Sequence, residues 1–434
     1  MVEKTINEEE FGYILKKKKF LCEKNPHVAL CVSGGPDSLA LLFLMNQWLE
    51  KNKGCSTVIH FNHNLRKESK QEEQFVRNLC KKLGVALKVL SWNGSKPKTS
   101  LMKKSRDERY KQIIKYCADK EIITIMTAHH LNDCLETYLM RRLRGYSTLG
   151  LNSIPMVNTQ EKLQIFRPFI DIKKERLINT CKINKLNWIN DSSNLDNKYE
   201  RVRIRNHING LSKEEYKNLL AEYKKSLVVN FKIEEKLDNY LIKNLSFFNY
   251  GKFSLSKKSF LNTCENMQVE ILKKILVTCS GNIYPPKTLS LQNLIKKIKF
   301  NQKFKFSINW CIVNVNNTSI EFYREYEKIK RFSSVKKYIK KSSSLLWDNR
   351  FFIKTLKNDL SCEIMTEKKW LRIKKRYKNF CENRNVYFEI IKTLPLIKFK
   401  NIDVIPFVLN HDELLRNSIM VNFCPKIPLT KKNF

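Results

Sequence analysis

Apolar positions in the first half of the chain fall in short dense runs separated by stretches of helical periodicity. Residues 28–32 (VALCV) form one such run, which predicts a strand buried on both faces, as in a parallel sheet. It stops at Ser33-Gly34-Gly35-Pro36-Asp37-Ser38, after which residues 39–45 continue as a helix apolar on most sides. A second strand is expected at 57–62. The helix after it carries Phe75, Val76, Leu79, Cys80 and Leu83 at helical spacing and ends at Gly84. Residues 85–92 predict a third strand, Ser100 the cap of a long helix with Tyr110, Ile113, Ile114 and Cys117 inward, and residues 122–126 a fourth strand. Leu131, Leu135, Leu139 and Leu143 then make a stripe at i, i+4 spacing expected to face the core, with Asp133 about 200° away from it. Strict β-α alternation predicts a doubly wound parallel α/β sheet, whose ligands bind beyond the carboxyl ends of the strands. The ends of strands one, two and four carry SGGPDS, HFNHNLR and TAHHLNDCLET, so these segments converge on one crevice.

The chemistry at those ends suits phosphate. Two adjacent glycines permit a turn that a Cβ obstructs, and Pro36 presets a helical φ where the next helix begins. Strand, glycine turn and helix N-terminus make an anion site. GxxxxGK[ST] and GxGxxG are both absent, so neither a Walker loop nor a dinucleotide fingerprint is present. His129 and Asp133 lie one turn apart, though paired histidines at a strand end also suit a helix cap. Arg106 and Arg109 are likewise one turn apart; an arginine fork suits phosphate better than lysine does, and an Arg/Glu helix face also suits plain solvation.

The second half changes character. Lys/Glu-rich amphipathic helices are expected at 212–245, 256–278 and 288–299, then a hairpin of 310–315 and 319–323 around Asn316-Asn317. A Lys- and Ser-containing linker is expected at 327–344, followed by short strands, basic patches and aromatics such as Trp370, Tyr377 and Phe388. Three domains follow: 1–210, 211–330 and 345–434. The formal net charge of +40 implies a polyanionic partner, although a chain so rich in Lys, Asn and Ile also owes part of that excess to compositional bias. Thirteen cysteines without a CxxC read as reduced residues of a cytosolic protein. An acidic N-terminus without an apolar core, and no apolar stretch near the ~18–20 residues that cross a bilayer, predict a cytoplasmic protein with no membrane partner. The sequence leaves the oligomeric state open.

SGGPDS resembles the SGGxDS PP-loop of ATP pyrophosphatases, which split ATP between its α and β phosphates. SGGPDS, HFNHNLR, SRDERYK, TAHHLNDCLET, LRGYSTLGLNSIP, RPFIDIKKERL and WINDSSNLDNKYERVRIRNHI occur in that order and together resemble the tRNA(Ile)-lysidine synthetase family, strongly over 28–210 and more weakly beyond. The resemblance implies a Rossmann-like PP-loop catalytic domain, a helical tRNA-binding domain and a small α+β C-terminal domain for tRNA recognition. It implies that the C2 oxygen of the wobble cytidine of a CAU-anticodon tRNA(Ile) attacks the α-phosphate of ATP, and that free L-lysine then displaces AMP to leave lysidine. Ser33, Gly34, Gly35, Pro36, Asp37 and Ser38 would hold pyrophosphate. Asp37 and Asp133 would serve Mg²⁺ or the attacking centre, Arg106 and Arg109 the charge on the α-phosphate, and His129 a proton or a positioning hydrogen bond. Arg201 and Arg205, on one helix face, fit tRNA phosphates, and equally fit a solvated basic helix. The family usually has two acidic residues where this chain has Asn132-Asp133, and an alanine where it has Ser105. The turn at 144–150 is thinned, and a DPSN segment reads Asp191-Ser192-Ser193-Asn194. The rival readings are a PP-loop tRNA thiolase, which the missing CxxC disfavours, and an inactive tRNA-binding homologue with Asn132 as its lesion.

Overall fold

The computed structural model describes residues 4–64, 68–92, 94, 101–145, 148–151, 154–160, 163–189, 197–282, 284–332, 336–377 and 388–430. The chain divides into two compact units, Met1–Asn230 and Phe231–Phe434.

The first unit runs α1 (Glu8–Lys17), β1 (His27–Cys31), α2 (Pro36–Lys51), β2 (Cys55–Asn62), α3 (Ser69–Leu83), β3 (Ala86–Ser91), α4 (Leu101–Asp119), β4 (Thr124–Met126), α5 (Leu131–Leu143), α6 (Thr148–Leu151), β5 (Val157–Gln160), β6 (Leu163–Phe166), α7 (Lys174–Ile183), α8 (Glu200–Asn209) and the start of α9 (Lys213–Asn244). Its sheet has the order β3-β2-β1-β4-β6-β5, parallel except for the edge strand β5. The four expected parallel strands are all present; β5 and β6 are additions, each only four residues long and separated from the regular β-α alternation that marks the others. Alternation along β1 sends Val28 and Leu30 to a cluster with α1, α2 and α7, and Ala29 to a second cluster with Ile113 and Ile114 of α4. The leucine stripe of α5 behaves differently from expectation. Leu131 and Leu135 are buried, but against Ile204, Ile208, Leu219 and Tyr223 of α8 and α9, and Leu143 at the helix end is 72% exposed. Gly84 ends α3 in the left-handed conformation (φ 66°), as expected of a glycine C-cap. Ser100 and residues 191–194 lie outside the described residues, as do Tyr146 and Ser147 of the thinned turn.

In the second unit the expected helices are α10 (Lys257–Leu261) with α11 (Glu265–Ser280), and α12 (Thr288–Phe300). Before and after them in the chain come the strands of a five-stranded antiparallel sheet, β7 (Leu245–Phe248) and β8 (Lys252–Ser256) ahead of α10 and β9 (Phe304–Ile308), β10 (Cys311–Val315) and β11 (Ser319–Arg324) after α12, in the order β7-β8-β11-β10-β9. Only its β10–β11 hairpin was expected; β9 and β10 are also joined by a two-residue turn, but it is Asn309-Trp310, without the glycine that marks such turns in a sequence. Then come α13 (Tyr326–Phe332), β12 (Lys337–Ile339), β13 (Ser344–Trp347), β14 (Phe351–Thr355), β15 (Leu360–Ile364), α14 (Glu367–Arg376), α15 (Phe388–Ile391), β16 (Pro395–Phe399), β17 (Ile402–Val404), α16 (His411–Arg416) and β18 (Ile419–Phe423). They form two small sheets, β12-β15-β16-β17 and β13-β14-β18, over a core containing Trp347, Phe351 and Trp370. Ile329 and Ile339, within the stretch expected as a linker, are buried in that core.

Candidate active site

The glycine turn is built as its residues dictate. Val32 still pairs with the sheet, its amide donating to Ile59 O at 3.0 Å, and the chain then turns through Gly34 at φ 94°, a conformation that disfavours any side chain. Gly35 is the extended N-cap of α2, Pro36 follows at the helix start, and no side chain caps the helix. Ser38 closes the turn on itself: its hydroxyl donates to Gly35 O at 2.9 Å and accepts the Ser33 amide at 3.2 Å. The result is an uncapped helix N-terminus at the carboxyl edge of a parallel sheet, the setting in which backbone N–H groups and the helix dipole bind phosphate.

Asp37 stands in the first turn of α2. Its Oδ2 lies 3.6 Å from His130 Nε2 and 3.9 Å from Lys174 Nζ, whereas its Oδ1 is buried with no hydrogen-bond partner. His130 is the N-cap of α5 in a reciprocal capping box: the His130 amide donates to Asp133 Oδ2 at 3.1 Å, and the Asp133 amide donates to His130 Nδ1 at 3.4 Å. His130 Nε2 is also 3.6 Å from Asp133 Oδ2, so one imidazole stands between the two carboxylates. Burial alone would lower the His130 pKa, but Asp37 and Asp133 outweigh it and raise it. Burial pushes the Asp133 carboxyl up, and His130, Arg201 and His129 together overcome this and hold it below its ordinary value.

The second turn of α5 carries Glu136, which is 1% exposed. Arg201 bridges the helix, donating to Asp133 Oδ1 at 2.6 Å through Nη2 and to Glu136 Oε2 at 2.5 Å through Nε, and Arg205 Nε donates to Glu136 Oε1 at 2.7 Å. The two arginines share a face of α8, as their spacing predicts, and both are turned onto α5 carboxylates. His129 faces a different neighbourhood. Its Nδ1 is 2.8 Å from Thr127 Oγ1, and burial, resisted by Asp133 but reinforced by Arg167, Arg106 and Arg201, pushes it down to about 3. The imidazole is therefore neutral at physiological pH. Arg106 and Arg109 flank the Tyr110 ring at 5.3 and 5.4 Å. Arg167 is buried, with Nη1 on Pro155 O at 2.7 Å and an Nε that has no partner. Ser105 joins two elements: its Oγ lies 2.6 Å from Nδ1 of His63, at the end of strand β2.

The structure thus joins Asp37, Asp133, Arg201 and Arg205 in one polar chain and gathers His129, Arg106 and Arg167 beside it. His130, Glu136 and Lys174 belong to the same chain and were missed as site residues. The i, i+3 spacing of Asp133 and Glu136 against the i, i+4 spacing of Arg201 and Arg205 was the available signal for Glu136.

The PP-loop domain family matches residues 4–211. The tRNA(Ile)-lysidine synthase of Rickettsia akari is 30% identical over 408 residues, covering 92% of this chain and 93% of the relative. That of Rickettsia typhi is 31% identical over 412 residues with the same coverage, and that of Orientia tsutsugamushi is 29% identical over 427 residues, covering 93% and 94%. The likeness runs far beyond the PP-loop domain into the second unit, and it comes with a glycine turn and paired carboxylates placed at the carboxyl edge of a parallel sheet. The chain belongs to the tRNA(Ile)-lysidine synthase family.

Proposed function

We propose that this ATP-using ligase joins free L-lysine to C2 of the wobble cytidine in a CAU-anticodon tRNA(Ile), by way of an adenylated cytidine. The observation that supports this most directly is the uncapped N-terminus of α2, with Asp37 within reach of the His130–Asp133 pair, in a chain related over nine-tenths of its length to lysidine synthases. In the first step the cytidine O2–Pα bond forms as the Pα–O–Pβ bond breaks, and the electron pair leaves on pyrophosphate. In the second, the amine of lysine bonds to C2, the C2–O bond breaks and AMP departs. Residues 33–38 hold the leaving pyrophosphate, and Arg106 and Arg109 offset charge on the α-phosphate. Catalysis then comes from positioning and charge neutralisation. His129, neutral and paired with Thr127, positions its partner by a hydrogen bond and is a poor proton acceptor. Arg201 and Arg205 fix Asp133 and Glu136 to α8, a role that competes with direct contact to tRNA phosphates.

Mg²⁺ fits at Asp37, because the partnerless buried Oδ1 is a carboxylate oxygen of the kind this cation takes. Among the described residues no cluster of three or more His, Cys, Asp or Glu is arranged for a metal, so phosphate oxygens would complete the coordination. Bound there, the cation would supply charge neutralisation on the phosphates. In this reading the enzyme works on tRNA in the cytoplasm; no helix among the described residues is long and apolar enough to cross a membrane. The test is nucleoside analysis of a CAU-anticodon tRNA(Ile) after incubation with the protein, ATP and lysine. Lysidine is the expected product, and unmodified cytidine with no pyrophosphate released would overturn the assignment.

A further inference from the structure

Three helix N-termini meet beside the SGGPDS turn. α2 starts there; the first amide of α5, Leu131 N, donates to Ile172 O at 2.9 Å; and Asn132 Oδ1 accepts the amide of Lys174, the first residue of α7, at 3.1 Å. Cys181 of α7 donates its Sγ–H to Pro36 O at 3.2 Å, tying α7 to α2 as well as to α5. These ties deliver Lys174 Nζ to within 3.9 Å of Asp37 Oδ2, with the Lys174 side chain still 33% exposed. Lys173 is engaged elsewhere, its Nζ lying 5.8 Å from the Tyr216 ring.

An ion pair this long and this exposed does little for folding. A lysine ammonium on a flexible stem is, however, a mobile point charge suited to following a phosphate. We propose that Lys174 is a pyrophosphate-binding residue: when ATP enters, its ammonium exchanges Asp37 for the β- and γ-phosphate oxygens, and Asn132 is the positioning residue that holds the start of α7 where this exchange is possible. Negative charge accumulates on pyrophosphate as the Pα–O–Pβ bond breaks, and a preplaced cation stabilises that charge without reorganisation. Lys174 has this role on the strength of the adenylation chemistry proposed above.

The test titrates the full-length protein with inorganic pyrophosphate in a calorimeter, in magnesium buffer and without tRNA. Lys174→Met should weaken pyrophosphate binding by about 10- to 100-fold, and Lys174→Arg should retain most of it. Asn132→Ala should weaken binding less, and the Asn132→Ala/Lys174→Met double variant should bind no worse than Lys174→Met alone, since both act through one ammonium. In single-turnover experiments Lys174→Met should slow adenylation of tRNA while leaving the reaction of lysine with pre-adenylated tRNA unchanged. Lys174→Met that binds pyrophosphate as tightly as the wild type, or that slows both half-reactions equally, would overturn the role. Because the titration needs no tRNA, failure of the wild type to form lysidine would count against the proposed function and not against Lys174.

Discussion

Asp37 and Asp133 each place a carboxylate oxygen 3.6 Å from His130 Nε2, yet they are held in different ways. Asp133 is saturated by Arg201 and the capping box, whereas Asp37 keeps one oxygen without a partner. Asp37→Asn and Asp133→Asn should each abolish lysidine formation while leaving tRNA affinity within a few-fold, because neither residue belongs to an extended basic surface; an equal loss of tRNA binding would contradict this. Asn132 is accounted for differently from a catalytic lesion, since its Oδ1 accepts the Lys174 amide and a carboxylate oxygen would do the same. Asn132→Asp should therefore change turnover only modestly, and a gain of orders of magnitude would mark the chain as a weakened enzyme. Asp133 also sets an acid limit. Its carboxyl is held below its ordinary value, so its contribution to stability is present above about pH 4 and is lost as the pH falls through the lower native-state pKa. Arg201→Met removes one of the charges that hold it down and should move the acid-unfolding midpoint, followed by circular dichroism, to higher pH.

At the scale of elements, polar contacts far apart in sequence decide how helices and strands lock together. In the second unit Asp348 accepts from Arg324 at 2.9 Å and from Arg350 at 2.8 Å, and all three side chains are at most 3% exposed. Asp348→Ala strands two buried guanidiniums and should cost about 3–5 kcal/mol, measured by chemical denaturation; a loss below 1 kcal/mol would mean that water reaches the site once the carboxylate is gone. Such contacts also explain what sequence reading recovers. The PP-loop turn was legible because its signal is contiguous: an apolar run, two glycines, a proline and an apolar helix. Strands β1 to β4 and their parallel arrangement were legible because each strand is followed by its own helix. The Asn132–Lys174 contact joins residues 42 positions apart and no local periodicity reports it, while the Arg201–Glu136 contact, across 65 positions, shows in the sequence only as matching charge spacings on two separate helices. The leucine stripe of α5 was recognised as apolar, but spacing alone cannot say that α8 and α9, rather than the sheet, cover it.

Across the whole molecule the basic excess continues well past the PP-loop unit, and this bears on how one tRNA is told from others. A crevice at the edge of one sheet accommodates a nucleotide and its phosphates, whereas discriminating among tRNAs needs contacts far from the wobble base. We propose that the second unit supplies most of these contacts, through lysines and arginines that neutralise phosphates. A truncation after Asn230, where the first compact unit ends, keeps the Leu219 and Tyr223 packing against α5 that a cut at residue 210 would remove. That shortened protein should still bind ATP but modify tRNA very poorly. Each phosphate contact contributes a slope of about −0.7 to −0.9 in log K against log salt, so the full chain should lose tRNA affinity steeply with salt and the truncation much less. The measurement is tRNA affinity for both proteins across a salt series. If the truncation binds as tightly and with the same slope, the downstream lysines reflect composition rather than recognition, and tRNA discrimination resides in the PP-loop unit.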